Sequence, residues 1–114
     1  MKIEFFQNRA VDNAPLPAEF LDELSDNVQI RFHAYLEHVE NHDGRIEGIA
    51  FRKLHGYPME EIRIKESRNL HRLILHIKIK DCVHVLHGFT KKEGQKTPEK
   101  ELEIAYNRLL TIIS

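Results

Sequence analysis

A single cysteine, no long apolar run and no repeated or low-complexity tract narrow the reading of this 114-residue chain from the outset. Cys82 alone cannot close an internal disulfide, so a disulfide-stapled secreted scaffold is excluded and a cytoplasmic, reducing setting is expected. No stretch reaches the roughly 18 apolar residues of a membrane-spanning helix, so no membrane partner is expected. The opening MKIEFFQNRA has neither the apolar core nor the small-residue cleavage site of a secretory signal. Cysteine pairs and an HExxH helix are both absent, which leaves no recognised metal motif. Such a chain is long enough for one modest core and too short for two, so one domain over residues 1–114 is expected.

What is present is charge, and it is unevenly placed. The net charge of −1 conceals an acidic stretch over residues 1–44, with three Lys/Arg against nine Asp/Glu, and a basic one over 45–96, with twelve against six. A basic stretch inside a balanced chain is compatible with a nucleic-acid footprint and equally with a solvated face.

The apolar spacing changes period along the chain. Lys2–Gln7 reads as a short strand and Asn8–Pro17 as a loop. Phe20, Leu24, Val28, Phe32 and Leu36 recur every four residues, which is one face of a helix. The cluster Ser25-Asp26-Asn27 is able to cap a second helix, so one bent helix and a helical hairpin both stand. Gly44 is the expected left-handed stop. Three strands follow, over Met59–Lys65, Leu70–Lys78 and Cys82 to about Thr90, with Glu66–Asn69 as a hairpin loop. Pairing Lys65 with Leu70 sets Arg63 opposite Arg72, on the face away from the expected core. Thr97 is a good N-cap for a last helix begun by Pro98, with Leu102, Ala105, Leu109 and Ile112 as its packing stripe. The expected class is α+β.

Two like charges directly across a strand pair repel unless something compensates them. Glu61 and Glu66 offer ordinary surface neutralisation. The alternative is a phosphate seat, because guanidinium groups hold a phosphodiester and stabilise the charge that develops as it reacts. The run from Leu86 to Pro98, with Lys91, Lys92 and Lys96, enters a helix N-terminus and so offers anions both ammonium and backbone N–H groups. Against this stands a plain basic loop. His38 and His42 lie one helical turn apart, while His84 and His87, three apart, face opposite sides of a regular strand. No metal and no cofactor are expected.

The segments LHGFTKKEGQKTPEKELEIAYNRL and LHGYPMEEIRIKESRNLHRLILHIK resemble the RelE/HigB-like toxins, in the phage-derived branch of the RelE/ParE superfamily. The resemblance covers roughly residues 46–110 in motif and 1–45 in layout. It implies a small curved antiparallel sheet with two N-terminal helices and a C-terminal helix packed on it. It implies the toxin of a type II toxin–antitoxin pair, a ribosome-dependent mRNA endoribonuclease in which the 2′-OH attacks the phosphodiester. The partners it implies are the ribosome, mRNA and a cognate antitoxin of helix-turn-helix DNA-binding type. On this resemblance Arg63, Arg72, His87 and Lys91 are the catalytic candidates, and Glu61, Lys65, Lys92 and Lys96 line the RNA path. The general acid and base stay open among His71, His84, His87, Glu61 and a lysine. Two departures from the family stand out. His71 occupies a position where tyrosine is common, and the chain is not basic overall. Related chains poison gyrase without cutting RNA, and others bind an antitoxin but are inactive.

Overall fold

A computed structural model describes residues 2–46, 48–78 and 82–113. Eight elements follow in order: β1 (Lys2–Phe5), α1 (Pro17–Asp22), α2 (Asp26–Asn41), β2 (Phe51–Lys53), β3 (Glu60–Glu66), β4 (Asn69–Lys78), β5 (Cys82–Lys92) and α3 (Glu99–Ile113). The strands form one sheet in the order β1-β5-β4-β3-β2. The α+β architecture is the one expected. Its sheet is mixed, because β1 joins β5 in parallel while the other pairs are antiparallel.

The helical region resolves into two helices. The Ser25 hydroxyl accepts from the Val28 N–H at 3.4 Å and starts α2. At the other end Gly44, at φ 80°, returns its N–H to the Val39 carbonyl. The α2 stripe Val28, Phe32, Leu36 and Val39 packs on Ile62, Ile64, Leu73, Leu75, Val83 and Val85. The opposite sheet face, expected to lie away from the core, carries a second one. There Leu102, Ala105 and Leu109 of α3 cover Met59, Ile74, Leu86 and Phe89. Ile74 is fully buried for that reason.

The β3–β4 register is the expected one: Lys65 opposes Leu70 and Arg63 opposes Arg72. Pairing extends to Glu66 and Asn69, so the turn itself is only Ser67-Arg68. Strand β2, which lacks a long alternating pattern, lies along the first residues of β3. Along β5 the register shifts between Ile74 and Leu75 of its partner, leaving Leu86 as an extra residue. This bulge reverses the alternation. His84 opposes His76 and His87 opposes Ile74, so both histidines face the α3 side, contrary to the expectation for a regular strand.

Arg108 of α3 secures the bulge. Only 1% exposed, it donates to the Leu86 carbonyl at 2.8 Å, to both Asp12 oxygens at 2.8 and 3.0 Å, and to the Ala14 and Pro15 carbonyls. The N-terminal loop, the bulge and the last helix are thus tied through one guanidinium, which holds the Asp12 carboxyl below its usual range.

Gly88 shows how closely α1 approaches β5: a Cβ there would stand 2.1 Å from the Phe20 ring. Gly88→Ala is therefore expected to lower stability by about 1–3 kcal/mol through overpacking. Much of that loss should return in a Phe20→Leu background, as read by urea unfolding. An alanine variant as stable as the parent would show that the ring yields freely.

Candidate nucleic-acid interface

The β2–β3 ladder ends at Ile62, with one further bond from the Arg63 N–H to the Ala50 carbonyl at 2.8 Å, and a groove of about 620 Å³ crosses this edge. Its lining brings cations from distant parts of the chain: Arg31 of α2, Arg52 of β2, Arg63 and Lys65 of β3, Arg72 of β4 and Lys96 from the loop before α3. Tyr35 supplies an aromatic wall, and Glu93 is the acidic residue of the lining.

Glu61 lies beneath these cations and is 1% exposed. Its Oε1 stands 3.8 Å from Arg63 Nε, and its Oε2 stands 4.0 Å from Arg72 Nη1. Burial raises its carboxyl above the ordinary value, while Arg72, Arg63 and Arg52 pull the other way. The spacings exceed hydrogen-bond length. Among the described residues Glu61 Oε2, Arg63 Nε and Arg72 Nε make no hydrogen bond. The carboxylate therefore balances the guanidiniums without saturating them.

Arg63 and Arg72 have different surroundings. Arg63 keeps 27% of its side chain exposed. Arg72 is 4% exposed, lies over the Phe89 ring at 5.9 Å, and donates to the Thr97 hydroxyl and, at 3.2 Å, to the Gln95 carbonyl. Burial pushes its guanidinium below the ordinary arginine value, against the pull of Glu61. Thr97, expected to cap α3, instead spends its hydroxyl on Arg72. The outcome is that Arg72 fastens the loop carrying Lys96, and Arg63 presents the accessible charge.

The groove thus gathers Arg63, Arg72, Lys65 and Lys96, with Glu61 buried behind the two arginines and outside the lining. Lys65 also pairs with Glu93 at 2.5 Å across the groove mouth. His87, Lys91 and Lys92 are not in the lining. His87 instead lines a second cavity of about 800 Å³ between α1, β5 and α3. There its Nε2 meets Glu101 Oε1 at 2.8 Å, and Lys91 approaches the other Glu101 oxygen at 3.9 Å. His71 is buried between Thr90 and Glu66. Two groove arginines were not among the candidates read from sequence. Arg52 sits on a three-residue strand too short to show a period, and Arg31 shares a helix with the acidic third of the chain.

Residues 19–110 match the family described as phage-derived protein Gp49-like (DUF891). The chain belongs to this family. It is a family of RelE/toxin-like character, and the match spans every element from α2 to β5 that lines the groove. No curated protein matches the sequence. Among the described residues of this Gp49-like chain, no helix is long and apolar enough to cross a membrane.

His87 carries a measurable consequence. Burial lowers its pKa from 6.5, more than Glu101 restores it. Below that ordinary value the unfolded chain takes up a proton that folded His87 refuses, so its contribution is complete above pH 6.5 and is lost as pH falls toward the lowered value. Urea unfolding of the parent and of His87→Gln should diverge with pH, the parent losing more stability on acidification. Parallel curves would dismiss the burial effect.

Proposed function

We propose that this Gp49-like chain is the toxin of a toxin–antitoxin pair and cuts mRNA on the ribosome, using the basic groove as its RNA seat. The observation that carries the reading is the convergence of six cationic side chains from four elements and a loop on one open groove, beside a carboxylate that only partly neutralises Arg63 and Arg72. RNA supplies its own nucleophile. When the 2′-OH attacks phosphorus, a 2′,3′-cyclic phosphate forms and the 5′-oxygen leaves. Charge then builds on the non-bridging oxygens, and fixed guanidinium groups stabilise it most strongly where it is greatest.

In this reading Arg63 grips the reacting phosphate. Arg31, Arg52, Lys65 and Lys96 hold its neighbours along the strand, and Tyr35 offers a ring on which a base stacks. Arg72 acts through the loop it fastens and through Glu61. Proton transfer falls to a group able to reach the groove, Lys65, Lys96 or the Tyr35 phenol, since His87 faces the other cavity. The cognate antitoxin, in this proposal of helix-turn-helix DNA-binding type, neutralises the toxin by binding it.

A second reading has one observation in its favour: no histidine lines the groove. On that reading the same basic surface binds its target without cutting, as a gyrase poison or an inactive antitoxin-binding relative.

Mapping mRNA 5′ ends after brief induction tests the choice. Wild type is expected to cut translated messages within codons. Arg63→Ala should reduce cutting about 100-fold, the scale of losing one charge-stabilising donor, with unchanged melting temperature. Arg72→Met should lower both cutting and stability, because it leaves Glu61 buried with one partner fewer. Growth arrest with intact messages would replace the nuclease reading with the binding one, and full cutting by folded Arg63→Ala would remove Arg63 from the mechanism.

A further inference from the structure

At the edge of the sheet opposite to β2, the parallel pairing of β1 with β5 brings together three side chains with different donor atoms. Glu4 opposes His84 and Lys2 opposes Cys82. Cys82 and His84, two residues apart on one strand, share a face, and Cys82 Sγ lies 3.9 Å from His84 Nδ1. Glu4 Oε2 also lies 3.9 Å from His84 Nδ1, and one ligand atom from each of the three residues falls within 4.8 Å of the others. Glu4 divides its carboxylate: Oε1 holds Lys2 at 3.0 Å, and Oε2 is turned toward the cluster.

We propose that Glu4, Cys82 and His84 form a site for a divalent transition metal, zinc in the first instance. One sulfur, one imidazole nitrogen and one carboxylate oxygen are the donor types zinc takes, and three protein ligands leave a fourth position to solvent. Ligands of a tetrahedral zinc at 2.0–2.3 Å sit roughly 3.3–3.8 Å apart, so closing the site shortens the two 3.9 Å spacings at His84 by about half an ångström and the Glu4–Cys82 spacing, which is within 4.8 Å, by at most about 1.3 Å. As the metal–sulfur bond forms, the Cys82 thiol releases its proton to solvent, and thiolate and carboxylate together balance the two positive charges.

A second observation favours a cation here. The cavity lined by Glu4 and His84 is also lined by Thr111 and Ile112, from the last turn of α3. That turn contains no basic residue, so the negative end of the helix dipole, near Glu4 and His84, is not offset by a basic side chain of its own turn. A bound ion would tie edge strand β1 to its neighbour β5. The site is separate from the basic groove, with which it shares no residue.

The reading of strand parity that sets a metal aside compares His84 with His87. The partners of His84 are instead Cys82, on the same strand, and Glu4, which only the parallel register supplies.

Titrating the full chain with cobalt(II), a spectroscopic stand-in for zinc, tests the proposal. One equivalent should produce a thiolate-to-cobalt charge-transfer band and tetrahedral visible bands, and zinc should displace them. Cys82→Ser should abolish the charge-transfer band. Glu4→Gln and His84→Ala should each weaken binding by more than about tenfold, the lower range for losing even an outer partner of a metal ligand. Melting temperature should rise with zinc in the parent and stay unchanged in Cys82→Ser, whose metal-free form should melt like the metal-free parent. A parent without a thiolate band overturns the site, as does binding that persists undiminished in His84→Ala or Glu4→Gln.

Discussion

A buried carboxylate sets the terms for the basic groove. Without Glu61, the Arg63–Arg72 cross-strand pair would place two like charges at the closest spacing a sheet allows, with Arg52 adding a third from the next strand. With it, Arg63 and Arg72 share one counter-charge at spacings of 3.8 and 4.0 Å, close enough to be held and too long for full hydrogen bonding. A tighter arrangement would form a closed buried salt bridge and leave no positive potential for a ligand. A missing carboxylate would leave the strand pair in repulsion. The observed geometry lies between these, and the remaining positive field opens toward solvent through Arg63.

Strand β5 imposes the second constraint. β5 pairs with β1 on one side and β4 on the other, and its alternation must serve α1 and α2 above and α3 below. The bulge at Leu86 makes that possible. It keeps Val83 and Val85 in the α2 core, then gives both Leu86 and His87 to the α3 side. An extra residue leaves backbone groups out of the ladder, and the Leu86 carbonyl is satisfied by Arg108. The same guanidinium holds the loop around Asp12, so the second cavity and the bulge depend on one side chain of α3.

Features governed by local chemistry were legible in the residues. The short β3–β4 turn fixes its own register, so the Arg63–Arg72 pairing followed from Lys65 and Leu70 alone. The α2 stripe and Leu102, Ala105 and Leu109 of α3 followed from period, whereas Ile112, expected in the same stripe, is exposed; Ser25 and Gly44 act as expected at the ends of α2. Features set by distant contacts were not legible. Parallel pairing of β1 has no local signature, a three-residue β2 has no period, and a bulge is invisible in a strand already rich in valine and histidine. For the groove, the sequence named Arg63, Arg72, Lys65 and Lys96 but missed Arg31 and Arg52, which reach it only through tertiary packing. It also treated Arg63 and Arg72 as equivalents. The loop that covers one of them comes from more than twenty residues away.

That inequality bears on how such a groove would work. Arg72 is too enclosed to accept a phosphate where it stands, and its hydrogen bonds run to Thr97 and Gln95. In the proposed nuclease its worth to RNA would be indirect: it fastens the loop that carries Lys96 and, with Glu61, would keep the Arg63 guanidinium in place before any ligand arrives. Preorganised charge is more effective than charge that must be gathered during reaction, because its reorganisation is already complete. In the proposed nuclease a groove built this way would owe more of its effect to electrostatic fixation of the phosphate than to a histidine acid–base pair. The placement of His87 with Glu101 in a different cavity is then consistent with a structural histidine, and a demand for catalytic histidines in the groove loses its force.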